Sequence, residues 1–322
     1  MFRASIGALL ALLLPAMCSA QQIIESAGSR ALGMGGAFVA VADDATAAYW
    51  NPAGLATGPL AGMTIEWADF RTGDQKGPPV AGPTHRTSKL VSLGTLPIGL
   101  SYGTFQDSAL AVAPSGETRA ETFAVSQFGA TFLQTVATGL VIGSTVKYER
   151  GRVISGPIEG LSASDALGHA AQLDGPSSGH LDVDVGAMAD FGKARLGVTV
   201  RNLREPTFSD AAGNAITLHR QSRMGLAVMP VTGLTLAVDL DLDKAELWDG
   251  PRRMLAFGGE DRIGHRWTLR AGVRWNLEGT RRPIGAVGAS LSIRRNFWLD
   301  GHYTQGSLDV DRGFGVAMRA GF

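Results

Sequence analysis

The sequence predicts an all-β fold: a 14-stranded antiparallel transmembrane β-barrel with an N-terminal segment inside its lumen. Three observations predict it. Phe314, Val316, Met318, Ala320 and Phe322 alternate with Gly315, Ala317, Arg319 and Gly321. Successive strand side chains point to opposite faces, so one face of this segment is apolar and the other carries a charge. Beyond the first 20 residues, no stretch approaches the ~20 apolar residues of a spanning helix, so spanning falls to strands. Finally, the connections alternate between tight and long, as they do in a barrel with short periplasmic turns.

In chain order, Met1 to Arg3 is a short positive start, Ile6 to Leu14 an apolar run, and Cys18-Ser19-Ala20 a small-residue site before Gln21. This predicts a signal peptide over 1–20, and hence the Gram-negative envelope. Met17 is a poor residue before a lipidated cysteine, so cleavage is expected after Ala20, leaving no cysteine. Residues 21–60 form the N-terminal segment and 61–322 the barrel.

Period-two alternation places strands at 62–71, 87–94, 97–106, 120–133, 137–153, 180–191, 194–204, 218–229, 232–243, 252–263, 266–277, 282–294, 296–305 and 312–322. Tight turns are expected at Thr95-Leu96, Gln134-Val136, Gly192-Lys193, Pro230-Val231, Gly264-His265 and Arg294-Arg295. The longer connections include 72–86, 107–119, 154–179 and 205–217.

Two strands show their faces clearly. In 266–277, Trp267, Leu269, Ala271, Val273 and Trp275 face lipid while Arg270 and Arg274 face inward. The two tryptophans lie eight residues apart, about 20 Å along the membrane normal after tilt, which suits two aromatic girdles. In 232–243, Leu234, Leu236, Val238, Leu240 and Leu242 face lipid while Asp239, Asp241 and Asp243 face inward. Inverting either strand would put several charges into hydrocarbon, at about 2–4 kcal/mol for each midplane Arg. The lumen therefore carries both signs: Arg201, Arg270, Arg274 and Arg319 with Asp182, Asp184, Asp190, Asp239 and Asp241. These groups either pair with one another and with the N-terminal segment or line a polar pathway.

Lys plus Arg and Asp plus Glu number 29 each, so no global basic field favours a nucleic-acid partner. The six histidines are scattered without metal-ligand spacing, and no nucleophile–base or paired-acid site can be assembled. Neither enzyme, metal nor cofactor is expected.

The segment ahead of the first strand is rich in Ala and Gly and lacks alternation. Its glycines form no dinucleotide loop, since no crossover helix accompanies them. Asp43 or Asp44 is placed to cap a short helix over 45–50, and Asn51-Pro52 ends it. Such a compact, apolar element belongs within the barrel, and an open diffusion porin would not need it.

Leu32-Gly33-Met34-Gly35-Gly36-Ala37, Ala42-Asp43-Asp44 and Tyr49-Trp50-Asn51-Pro52-Ala53-Gly54-Leu55 resemble the N-terminal hatch of FadL/TodX-type outer-membrane proteins. The Trp-Asn-Pro-Ala-Gly-Leu wording is closer to the PorV/PorQ-like branch. The resemblance implies a bacterial outer-membrane barrel plugged by a hatch. Gly35, Gly36, Asp43, Asp44, Asn51, Pro52, Ala53 and Gly54 would be hatch or gating residues, and Phe38, Tyr49 and Trp50 would contact a ligand. Gly99, Ser101 and Gly103 on the third strand, beside Pro97, leave room for the wall gap of such transporters; the alternative is that they make room for the hatch. Transporter members imply passive uptake of a small hydrophobic ligand. PorV-like members imply partners of a secretion system instead. Either role needs outer-membrane lipid and the barrel-assembly machinery, for which a final Phe322 resembles the recognition signal.

Overall fold

The computed structural model describes residues 24–73, 82–112, 117–158, 161–170, 172, 175–210, 213–247, 250–279, 283–306 and 312–322. The expected signal peptide, Cys18 included, lies outside them.

Fourteen antiparallel strands close into one barrel. The first seven are β1 (Ala61–Thr72), β2 (Thr84–Thr95), β3 (Ile98–Val112), β4 (Thr118–Ala137), β5 (Leu140–Pro157), β6 (Ser177–Asp190) and β7 (Ala194–Arg201). A small hairpin, β8 (Thr207–Ser209) and β9 (Ala215–Thr217), precedes β10 (Gln221–Val228) and β11 (Leu234–Asp241). A second hairpin, β12 (Ala245–Leu247) and β13 (Gly250–Arg252), precedes β14 (Met254–Ile263), β15 (Trp267–Asn276), β16 (Pro283–Arg294), β17 (Phe297–Gly306) and β18 (Arg312–Gly321). Closure is made by β1 on β18, from Gly62 opposite Gly321 to Arg71 opposite Arg312. A closed ladder leaves no backbone edge unpaired in lipid.

The faces are those of a membrane barrel. Leu100, Phe128, Phe132, Val146, Leu196, Leu236, Leu269, Val287 and Met318 stand exposed outside, while Asp239, Arg270 and Arg274 are buried inside. The main apolar core is therefore not in the wall. It is the N-terminal segment: Phe38, Val39, Ala42, Trp50 and Ala53 are fully buried within the lumen.

All 14 expected strands are present, with differences in length at one end. β3, β4 and β5 span 15, 20 and 18 residues, beyond the expected 97–106, 120–133 and 137–153. A strand that rises above the bilayer no longer needs an apolar outer face, so its alternation fades while its ladder continues. A short helix, α3 (Ala163–Ala170), packs there in an apolar cluster with Leu110, Ala120 and Ile158. The β4–β5 turn is also corrected. It lies at 138–139 rather than Gln134-Val136, where Gly139 supplies the positive φ of +77°.

The connection expected as the loop 205–217 folds as the β8–β9 hairpin. It tucks Phe208 and Ile216 into the mouth of the barrel at the long-loop end. Phe208 lies 5.5 Å from Phe123 and 5.0 Å from His180 between ring centroids.

Candidate functional site in the filled lumen

The N-terminal segment enters near the long-loop end and leaves at the short turns. Its first described residues, a turn at Ile24–Ser26, lead to α1 (Ser29–Gly33), an irregular run, α2 (Ala47–Trp50) and a 3-10 turn at Pro52–Thr57 that feeds β1. α2 is shorter than the helix expected over 45–50. Asp44 does not cap it directly, because its Oδ1 accepts from Thr46 N at 2.9 Å and shapes the approach instead. Asn51, in extended backbone, ends it before Pro52.

Close contact with the wall is made by glycine. Gly143 of β5 stands opposite Gly186 of β6, Gly197 of β7 opposite Gly225 of β10, and Gly258 of β14 opposite Gly272 of β15. A Cβ on the first pair would strike Asn51, Pro52 and Ala53; on the second, Val39 and Asp239; on the third, Met34 and Gly35. Each pair removes side chains where the segment backbone lies against the sheet. Sequence reasoning missed these pairs. The available signal was glycine at inward positions on neighbouring strands, but it needs the register to be read.

Polar groups then pin the segment. Asn51 Nδ2 donates to Val39 O at 2.8 Å and to Ala187 O of β6 at 3.2 Å, and its Oδ1 accepts from Ala53 N at 3.2 Å. Asp239 Oδ2 accepts from Phe38 N and Val39 N, each at 2.8 Å. Glu66 of β1 accepts from Gly28 N and from Ser29 N. The Arg30 guanidinium joins Asp43, Asp44 and Glu260, with two hydrogen bonds of 2.8 Å to Glu260. Burial alone would make Arg30 easier to neutralise, but the carboxylates of Asp43, Glu260 and Asp44 hold its proton well above the ordinary range. Glu25 is likewise buried, which by itself would raise its pKa; Arg223, Arg252 and Arg274 outweigh that and hold it at about 2. Arg30, Glu66, Glu260, Arg223 and Glu25 were not anticipated as tethers. Their partners across the wall lie 37 to 230 residues away in sequence, and only closure of the barrel sets them together.

The expected lumen charges face inward, Asp190 excepted. Arg223 bridges Glu25 and Asp241, Arg270 bridges Glu260 and Asp300, and Arg319 meets Asp300 at 3.1 Å. Lys147 sits among Glu149, Asp182 and Asp184 at 3.0–3.2 Å and donates to Asn202 Oδ1 at 2.6 Å. Arg274 is buried with Nε and Nη1 lacking a hydrogen-bond partner among the described residues. Asp190 belongs instead to the β6–β7 turn, where it meets Arg195 at 2.8 Å.

Phe38, Tyr49 and Trp50 are brought together. Phe38 meets Trp50 edge-on at 5.8 Å, Tyr49 lies 6.4 Å from Trp50, and Tyr49 stacks on Phe105 of β3 at 5.5 Å. Through Phe105, Phe123, Val125 and Val153 they form one buried apolar cluster with Phe208 and Ile216 at the long-loop mouth. An apolar column thus runs down a charged lumen to the Asn51-Pro52 turn. Below it, at the short-turn end, a cavity of about 640 Å³ opens among Arg30, Asp43, Glu260, Arg262, Trp298 and Arg319.

Gly99, Ser101 and Gly103 also face inward, but the wall around them is closed. β3 pairs without interruption with β2 from Ile98 to Ala109 and with β4 from Ile98 to Val112. Leu55 of the segment occupies the space beside Gly99, and Phe105 that beside Gly103.

Known structures with this architecture include the CymD monoaromatic hydrocarbon channel, matched at a TM-score of 0.65 and 15% identity over 94% of this chain and 99% of that one. The fold is that of a FadL-type barrel. A Pseudomonas aeruginosa FadL homologue matches at 0.63 with 11% identity over 95% and 100% of the two chains. The P. putida toluene transporter TodX matches at 0.59 with 12% identity over 93% and 99%. A family model described as F plasmid transfer operon, TraF, protein matches residues 114–241. A search of curated proteins finds no match.

Proposed function

We propose that this barrel passively takes up small hydrophobic molecules, with the N-terminal segment as a hatch that must shift for passage. The observation that carries this reading is the apolar column from Phe208 through Phe105 and Tyr49 to Trp50 and Phe38, set in a lumen otherwise lined with ion pairs. An apolar molecule gains by leaving water for such a column, whereas an ion does not. The side chains of the column are buried against one another, so a ligand enters by displacing them, and it leaves when the Asn51-Pro52 turn moves off β5 and β6. The fold shared with hydrocarbon channels supports the same ligand class. The closed ladders at β3 favour an exit into the short-turn cavity over one through the wall. The column gives a secretion partner no role, and that reading is not adopted.

Locking the hatch tests the proposal. Leu55 Cδ1 lies 2.6 Å from where a Cβ on Gly99 would stand, so Leu55→Cys with Gly99→Cys brings two thiols within reach of a disulfide. In cells expressing this variant, oxidation is expected to lower toluene uptake at least fivefold, and reductant to restore it. Equal uptake by the oxidised and reduced barrels, with the cross-link verified, would show that the hatch does not gate passage.

A further inference from the structure

We propose that the outer wall carries a docking groove for the phosphorylated headgroup of an outer-leaflet lipid. The groove lies across β2 to β6 and encloses about 550 Å³. Tyr102 lines its lower edge, and Phe128 and Tyr148 continue the same outward row as cross-strand neighbours, each about half exposed. One step further from the short turns, the next outward row reads Lys89, Thr104, Ser126 and Arg150, again directly opposite one another on four adjacent strands. Arg152 follows in the row above. The wall thus changes from aromatic to cationic within one pleat.

That change marks a level in the membrane. Tyrosines favour the headgroup boundary because their rings suit acyl chains and their hydroxyls suit water. A cation on the outer face is costly in the bilayer core and nearly free of cost at its edge. Lys89 and Arg150 therefore stand at headgroup height, and α3 roofs the same face through Leu110, Ala120 and Ile158. None of the described residues lining the groove is acidic. Lys89 and Arg150, with hydroxyls from Thr104, Ser126 and Ser177, form a site for a phosphate monoester. Arg150 is already oriented, its Nε donating to Ser177 Oγ at 2.9 Å. The guanidinium fork matches phosphate oxygens in pairs.

The occupant is a lipid rather than a soluble anion, because the groove opens sideways directly above the apolar belt. Acyl chains below a phosphate held at Arg150 would run over Tyr148, Phe128 and Leu181. This inference uses the outer-membrane placement of the barrel and does not depend on what passes through it.

The test is native mass spectrometry of the full barrel in mild detergent, titrated with bisphosphorylated lipid A. The wild type is expected to bind it at least tenfold more tightly than a Lys89→Gln/Arg150→Gln/Arg152→Gln variant. Arg295→Gln, in a short turn at the opposite end, should bind as the wild type does. Dephosphorylated lipid A should bind more weakly, and inorganic phosphate should not compete. Equal binding by wild type and triple variant, or equal binding of the dephosphorylated lipid, overturns the proposal. Displacement by millimolar inorganic phosphate overturns the lipid assignment. Should the triple variant fail to assemble, the single Arg150→Gln change decides the matter, with a loss of several-fold expected and an unchanged affinity refuting it.

Discussion

At the residue scale, glycine and the buried ions set the sharpest tests. Gly272 faces Met34 so closely that an added Cβ would strike its carbonyl, whereas Gly285 on the outer face has its nearest neighbour at 3.9 Å. Overpacking a close contact costs about 1–3 kcal/mol. Gly272→Ala is therefore expected to lower the unfolding temperature of the detergent-solubilised barrel, and Gly285→Ala to leave it almost unchanged; equal effects would refute the close-approach account. Lys147 is the second case. Its ammonium compensates Glu149, Asp182 and Asp184, and removing one partner of a buried ionic cluster costs about 3–5 kcal/mol. Lys147→Ala should destabilise the barrel by that order in urea titration, far more than loss of the exposed Lys193.

At the scale of elements, the N-terminal segment is held by its ends and its middle, and each tether has its own chemistry. Glu25 ties the first described turn to Arg223 of β10. Its carboxyl is held at about 2 in the folded chain against an ordinary 4.5, so the tie is fully present above pH 4.5 and is lost as pH falls toward 2. The segment should therefore protect against proteolysis equally at pH 7 and 5 and less at pH 3. Glu25→Gln is expected to weaken protection at pH 7 and to flatten this dependence. A wild-type profile without change between pH 5 and 3 would remove Glu25 from the tether. The Asn51 bonds carry no titratable group, so the middle of the segment should stay in place across the same range.

For the whole molecule, closure and assembly meet at β1 and β18. Phe322 N donates to Ala61 O at 2.7 Å, Ala61 N donates back to Phe322 O at 3.1 Å, and the Phe322 ring rests edge-on to Phe297 at 5.7 Å. The side chain is otherwise exposed to lipid, so packing alone gives Phe322→Ala a small effect on the finished barrel. A strong fall in the amount of heat-modifiable barrel, with normal stability of the fraction that forms, is expected if Phe322 serves as the assembly signal. Normal yield would leave it as an ordinary lipid contact.

Period-two alternation by itself determined the strands, their faces and their order in the wall, because lipid imposes the same requirement on every spanning residue: apolar outside, turn at the end. Trp267 and Trp275, the leucines of β11 and the inward Arg270 and Asp239 were legible for that reason. The buried, apolar character of residues 24–58 was legible as well, since a chain so poor in charge needs cover. Only the tertiary structure decided where that cover comes from. Whether Met34 meets Gly272, or Asn51 meets Ala187, depends on register and on the angle at which the sheet closes, and neither leaves a local trace. The same holds for the tops of β3, β4 and β5. Above the bilayer the solvent is water on both sides, the alternation loses its cause, and only hydrogen bonding between neighbouring strands shows how far they run.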